Sequence, residues 1–283
     1  PGYPAVKKAL RRPKELRAEP DLMGGPARLL AGKVAGLDLL VLDAPHLYDR
    51  PGSIYLGPNG KDWPDNPERF AALSFMAASI AAEGVGGWRP EVLHLHDWQA
   101  GLVPVYLRDM DAAGSVGTLL TIHNIAFHGI APPARLKDLR LPQWGFHPDG
   151  FEYYGKINAL KAGLVYADKL STVSPTYAAE IRTPTFGMGL DGLLENRSDT
   201  VFGVLNGIDV TAWDPAMDTS LAQTYSASTT HKRIANKRAL QEAFGLESAD
   251  APLFGIVSRL TWQKGIDLIV ASVDALVAQG AQL

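Results

Sequence analysis

Short runs of Val, Ile and Leu alternate along this chain with longer stretches in which apolar residues return every three or four positions. The short runs are mostly bounded by polar residues, Gly or Pro. They read as buried strands at residues 37–42, 92–96, 118–123, 169–173, 201–205 and 253–257. The periodic stretches read as helices. Residues 68–82 carry Phe70, Leu73, Met76 and Ile80 near helical spacing, and 157–167 and 176–181 are shorter. Residues 232–244 follow Thr229 and Thr230, which suit an N-cap, and precede Gly245, which suits the C-terminal end. A last helix is expected at 265–278, with Gly280 after it. Residues 129–154 are broken by prolines and show no clean period, so a long excursion over the surface is expected there. Strands alternating with helices predict an α/β fold around a largely parallel sheet. The final strand and helix are too few to bury a core. With no initial Met, the chain is expected to be an internal piece, cut at both ends.

Composition narrows the function classes. The 283 residues carry a net charge of −3, with no basic stripe, so nucleic acid is not the expected partner. No cysteine is present, which excludes disulfides, thiolate metal sites and cysteine nucleophiles. No apolar run reaches membrane-spanning length, and the N-terminal residues lack the pattern of a signal peptide. A cytoplasmic protein is expected, and the sequon at Asn196 is read as chance.

Candidate chemistry collects at predicted strand ends, where ligands sit in open α/β sheets. His94 and His96 share one face of the strand that ends at Asp97, because strand side chains repeat every two residues. The next strand ends at His123 and Asn124, which are expected beside Asp97 on the same sheet edge. Three readings of these residues stay open: a ligand site, a metal hydrolase built on His-x-His, and structural polar residues. The string GMGLDG at 187–192 fits GxGxxG, but no strand directly precedes it. It therefore reads as a tight turn opening a short helix, not a dinucleotide site. Arg259 and Lys264 lie between a predicted strand and a helix start. A guanidinium and an ammonium beside a helix N-terminus suit a diphosphate. Two solvated loop cations are the plainer alternative.

Taken together, seven strings in order resemble the glycogen/starch synthases, glycosyltransferases of the GT-B type with two Rossmann-like domains. They are DAPHLYDRPGSIYL (43–56), HLHDWQAG (94–101), TIHNIAFHG (121–129), LKAGLVYADKLSTVSPTYAAEI (160–181), FGMGLDGLL (186–194), VLNGIDVTAWDP (204–215) and SRLTWQKGIDL (258–268). The resemblance implies a hexosyltransferase that moves glucose, with retention, from ADP-glucose to the non-reducing end of an α-1,4-glucan. It implies no cofactor and no metal. Asp97 and His123 match active-site positions that hold donor glucose and acceptor, and Tyr55, His96 and Asn124 are implied in substrate binding. Asn206 matches an asparagine at the domain junction, and Arg259 and Lys264 match the pair on the donor diphosphate. Residues 1–205 are then expected to be most of the acceptor-side domain, and 206–283 the opening of the nucleotide domain. Two family features are expected outside the chain: a Lys-x-Gly-Gly-Leu loop before Pro1 and a Glu-bearing loop after Leu283. The chain alone is therefore expected to be inactive. A non-catalytic glucan-binding piece and another GT-B glucosyltransferase are the remaining alternatives.

Overall fold

The computed structural model describes residues 2–283, which fall into two compact units, one ending at Asn206 and one starting at Gly207. The first unit begins with helix α1 (Pro4–Ala9) and strands β1 (Lys14–Glu19), β2 (Ala27–Val34) and β3 (Leu37–Asp43). These strands form an antiparallel sheet in the order β1-β2-β3. The sequence pattern gives only the third of them. β1 reads KELRAE, and its charged residues hide the alternation that marks a strand. Its pairing with β2 is set by tertiary contact, which periodicity does not record.

A four-residue helix α2 (Pro45–Tyr48) leads to α3 (Asn66–Glu83). Proline in the first turn and Gly84 just past the end bound α3 as expected for a helix. Its buried stripe is rich in alanine (Ala71, Ala72, Ala78, Ala81) alongside Met76 and Ile80. Leu73, expected on that stripe, is 43% exposed. Small side chains are what let α3 lie close to its neighbour α4 (Val103–Asp109), which follows β4 (Val92–His96).

The parallel sheet is four-stranded. β5 (Gly117–Ile122) pairs with β4. Beyond a small antiparallel sheet of β6 (Ile130–Ala131), β7 (Glu152–Tyr153) and β8 (Lys156–Asn158), and helix α5 (Ala159–Tyr166), comes β9 (Lys169–Thr172). After α6 (Pro175–Glu180) and α7 (Asp191–Asn196), β10 (Val201–Gly203) completes the order β10-β9-β5-β4. Leu120, Ile122 and Leu170 are fully buried and join Leu160 and Leu164 of α5 in the main core. Gly101 permits this packing, since a Cβ there would stand 2.0 Å from the Ala159 carbonyl oxygen. The 129–154 segment is more than a surface excursion. Leu139 and Phe151 are buried among the largest core side chains. The GMGLDG string forms a turn into α7, the outcome its context predicts.

The second unit holds α8 (Arg233–Ala243) and α9 (Ile266–Ala278). A short 3-10 turn (Ala227–Lys232) precedes α8, and Ser226 caps it through a reciprocal pair of bonds with Thr229. Thr229 thus lies inside the turn and does not cap α8. Gly245 takes the left-handed conformation after α8 (φ 65°), as expected. Residues 253–257 do not form the expected strand. A single bridge, Leu253 with Gln282, is all the pairing they have among the described residues. A strand exists only by its partners. α9 has no buried residue, and Leu268 and Val270 are 69% and 68% exposed. Among the described residues no helix is long and apolar enough to cross a membrane.

Candidate active site

The C-terminal ends of β4 and β5 meet at Asp97. Its amide donates to the Thr121 carbonyl (2.9 Å), extending the parallel ladder by one residue. The backbone then turns sharply, with Asp97 at φ 53°, ψ −164°. That region is costly for any residue but glycine, by about 1–3 kcal/mol, and strain of this kind collects at functional sites. The turn aims the carboxylate across the sheet edge. Asp97 Oδ1 accepts from the amides of His123 (2.7 Å) and Asn124 (3.3 Å). Asn124 Oδ1 in turn accepts from the Ala126 amide (3.0 Å). One carboxylate thereby fixes the loop that carries the two predicted site residues after β5.

Three histidines line the same edge. His94 Nε2 lies 2.7 Å from Thr121 Oγ1, which lies 2.6 Å from Ser171 Oγ. This chain has one economical polarity. If Ser171 donates to Thr121 and Thr121 donates to His94 Nε2, both hydroxyl hydrogens are used. The reverse leaves the buried Ser171 hydrogen without an acceptor, at the cost of an unmade bond. His94 then accepts through Nε2. Its ring packs on His96 with centroids 4.3 Å apart, and His96 Nδ1 faces His123 Nε2 at 2.9 Å. Desolvation chiefly, then the neighbouring His94 and His123, hold the His96 pKa below the ordinary imidazole value against the pull of Asp97. These nitrogens face a hydroxyl and each other instead of a common point. Among the described residues no three His, Asp or Glu side chains converge as metal ligands.

Tyr55 reaches this edge from the segment between α2 and α3. Its hydroxyl accepts from Gln99 Nε2 (3.1 Å), just past Asp97. Its ring lies 5.9 Å from Phe70, which meets Trp98 edge-on at 4.7 Å. Desolvation raises the Tyr55 pKa, with Asp97 a smaller contributor. Arg69, almost fully buried, holds the approach by donating to the Leu47 and Ile54 carbonyls (2.9 and 2.7 Å). Besides Arg69, two contributors were not singled out from sequence. Gln99 anchors Tyr55, and Tyr177 of α6 accepts from the Ile125 amide through its hydroxyl (3.0 Å). Both act across long sequence separations, and both lie within the resembling strings without a pattern of their own.

Asp97, His96, His123, Asn124 and Tyr55 thus gather at one sheet edge of the first unit. Asn206 is exposed at that unit's end, in a segment with no regular structure. Arg259 and Lys264 belong to the second unit. Both are exposed and form no ion pair among the described residues. Lys264 ends a 3-10 turn (Trp262–Lys264), and Gly265, left-handed at φ 68°, caps the start of α9.

Comparison with known proteins gives the family. The family model for the starch synthase catalytic domain matches residues 1–196. The glycogen synthase of Paracoccus denitrificans (strain Pd 1222) is 56% identical over all 283 residues, and that of Roseobacter denitrificans (strain ATCC 33942 / OCh 114) is 52% identical. The chain spans 58% and 59% of the lengths of these relatives. The catalytic domain of Starch Synthase IV from Arabidopsis thaliana, solved bound to ADP and acarbose, superposes with a TM-score of 0.79 at 29% identity. That match covers 97% of this chain and 57% of the plant chain. A parallel α/β unit, a polar edge built where the matching strings fall, and close relatives along the whole chain lead to one assignment: the chain belongs to the starch synthase catalytic domain family.

Proposed function

We propose that the protein to which this chain belongs is a glycogen synthase, which transfers glucose from ADP-glucose to the non-reducing end of an α-1,4-glucan with retention. The observation that carries the reading is the unbroken similarity of the whole chain to glycogen synthases. Residues 1–205 serve as the acceptor-side domain and 206–283 as the opening of the nucleotide domain. The plant relative, solved bound to ADP and acarbose, supports a nucleotide donor and a glucan acceptor in general. A cytoplasmic setting belongs to the proposal, and a chain without cysteine suits it.

The side chains divide the task. Asp97 Oδ1 is engaged by two backbone amides, so its part is to hold His123 and Asn124 where they meet glucose. His96 supports His123 through their shared contact. Tyr55 adds a hydroxyl fixed by Gln99, and Asn206 contributes from the domain junction. Arg259 and Lys264 take the diphosphate. As the bond from glucose C1 to the phosphate oxygen breaks, negative charge grows on the leaving nucleotide, and fixed cations there lower the barrier.

The test uses the full-length protein with labelled ADP-glucose and glycogen. Label should enter the glucan, and excess EDTA should leave the rate unchanged. No incorporation, or loss on chelation with recovery on adding Zn²⁺, would overturn the reading.

A further inference from the structure

The hairpin of β7 and β8 turns on two residues, Tyr154 and Gly155, with φ of 47° and 75°. Two positive φ angles are what a type I′ turn demands, and Asn-Gly is the pair that meets the demand with least strain. This chain places a tyrosine there instead and leaves it 84% exposed. Neither local conformation nor burial accounts for that choice.

What surrounds Tyr154 does. Its ring meets Tyr153 edge-on at 4.7 Å, and Tyr153 is itself held. The Tyr153 hydroxyl donates to the Met188 carbonyl (2.9 Å). Gly189 is required for this approach, since a Cβ there would lie 2.4 Å from the Tyr153 hydroxyl oxygen. The GMGLDG turn thus holds Tyr153, on which Tyr154 packs. The two rings border an open cleft of about 650 Å³, lined also by Asp149, Glu152, Lys161 and Asn196. The Lys161 ammonium spends two of its three donors on the carbonyls of Pro148 (2.5 Å) and Glu152 (2.6 Å). Glu152 braces the turn by accepting from the Gly155 amide (2.5 Å) through Oε1. The side chains of Asp149 and Asn196 are exposed and have no hydrogen-bond partner among the described residues. The cleft therefore offers aromatic surface, an unbonded carboxylate and an unbonded amide, and its one cation is largely engaged by carbonyls and flanked by Asp149 and Glu152. A phosphate would meet those carboxylates. A neutral polyhydroxylated chain finds apolar faces for its C–H side and acceptors for its hydroxyls.

We propose that this cleft is a subsite for the body of an α-glucan, with Tyr154 as its stacking platform. The ligand class rests on the functional reading above. The position suits a chain whose end is being extended, because Tyr153 packs against His128 (5.3 Å between centroids), on the same segment as His123 and Asn124.

The experiment is mobility of the full-length protein in native gels containing glycogen, with the variants Tyr154→Asn and Asp149→Ala. Asn suits the turn better than Tyr, so Tyr154→Asn should melt no lower than wild type. Its apparent Kd for glycogen should rise about fivefold or more, the scale of losing one aromatic contact. Asp149→Ala, at an exposed loop position, should weaken binding in the same direction. A wild-type protein that glycogen does not retard, or two normally melting variants retarded as strongly as wild type, would overturn the site. Glucose incorporation by the wild type is measured alongside. Its absence refutes the functional reading, whereas undiminished retardation of both variants in an active protein refutes the subsite alone.

Discussion

Asp97 joins two strand ends through one side chain, and its neighbours depend on how hydrogens are placed. The His96–His123 contact, at 2.9 Å between ring nitrogens, needs one donor and one acceptor. Protonating both rings would set two donors and two charges face to face. The contact therefore excludes a proton on both facing nitrogens, and desolvation together with the imidazole neighbours holds the His96 pKa below the ordinary 6.5. The sign follows from linkage. With the folded pKa lowered, the unfolded chain binds more protons between that pKa and 6.5, so stability rises with pH across this window and falls on acidification. Melting temperature of the full-length protein should drop as pH falls below about 6.5. His96→Gln should flatten that part of the profile. An unchanged slope in the variant would show that other groups carry it. At this scale the sequence was partly legible. Period-two spacing placed His94 and His96 on one face, and strand ends brought Asp97 beside His123 and Asn124. Gln99, Arg69 and Tyr177 were not legible as site supports, because each acts through contacts that only the closed fold creates.

Elements were legible where burial writes a pattern. Gly117–Ile122 and the helix at Asn66–Glu83 are buried or half-buried for most of their length, and their apolar runs show it. Strands β1 and β2 were missed because their charged and small residues blur the alternation, and a register shift between Glu15 and Arg17 interrupts it further. Residues 253–257 fail the other way. Their apolar run reads as a strand, yet Val257 and Ile256 are exposed and the ladder has a single bridge. The start of α9 illustrates what an element can add to a site. Its first amides lack helical acceptors, its dipole favours negative charge, and Arg259 and Lys264 stand beside it unpaired among the described residues. Each cation alone is an ordinary solvated side chain. In the proposed function they and the helix end share the diphosphate. In the full-length protein, Arg259→Ala or Lys264→Ala should lower kcat/KM for ADP-glucose by about a hundredfold or more, the scale of losing one oriented donor. Near-normal kinetics in both variants would remove them from the donor site.

Across the whole molecule the two units differ in how much of their apolar surface is covered. The first has a continuous core from the antiparallel sheet to α7, including Leu22, Tyr106, Leu160 and Leu194. The second has none: its one buried side chain is polar, Gln241, bonded to the Ala249 carbonyl and the Gln282 side chain (2.9 and 2.6 Å). Trp262, Leu260 and Leu268 remain largely exposed. Apolar surface of this extent is a binding face or a liability in water. Residues 1–283 expressed alone should therefore bind ANS and stay soluble only poorly, with the exposed surface contributed mainly by residues after Gly207. The same partition governs activity. Transfer between sugar nucleotide and glucan needs donor and acceptor groups held together with water excluded, and groups that act as a unit lose nearly all their rate when the unit is incomplete. In the proposed function the diphosphate pair lies in a unit whose one buried side chain is Gln241, which leaves the two cations without a packed support. The isolated chain, given labelled ADP-glucose and glycogen, should incorporate no glucose above a protein-free control. Chain 1–206 alone should be the better-behaved species, with a cooperative melt and little ANS fluorescence. Measurable transfer by residues 1–283, or equal ANS binding by both chains, would show that the second unit is ordered enough to work as it stands.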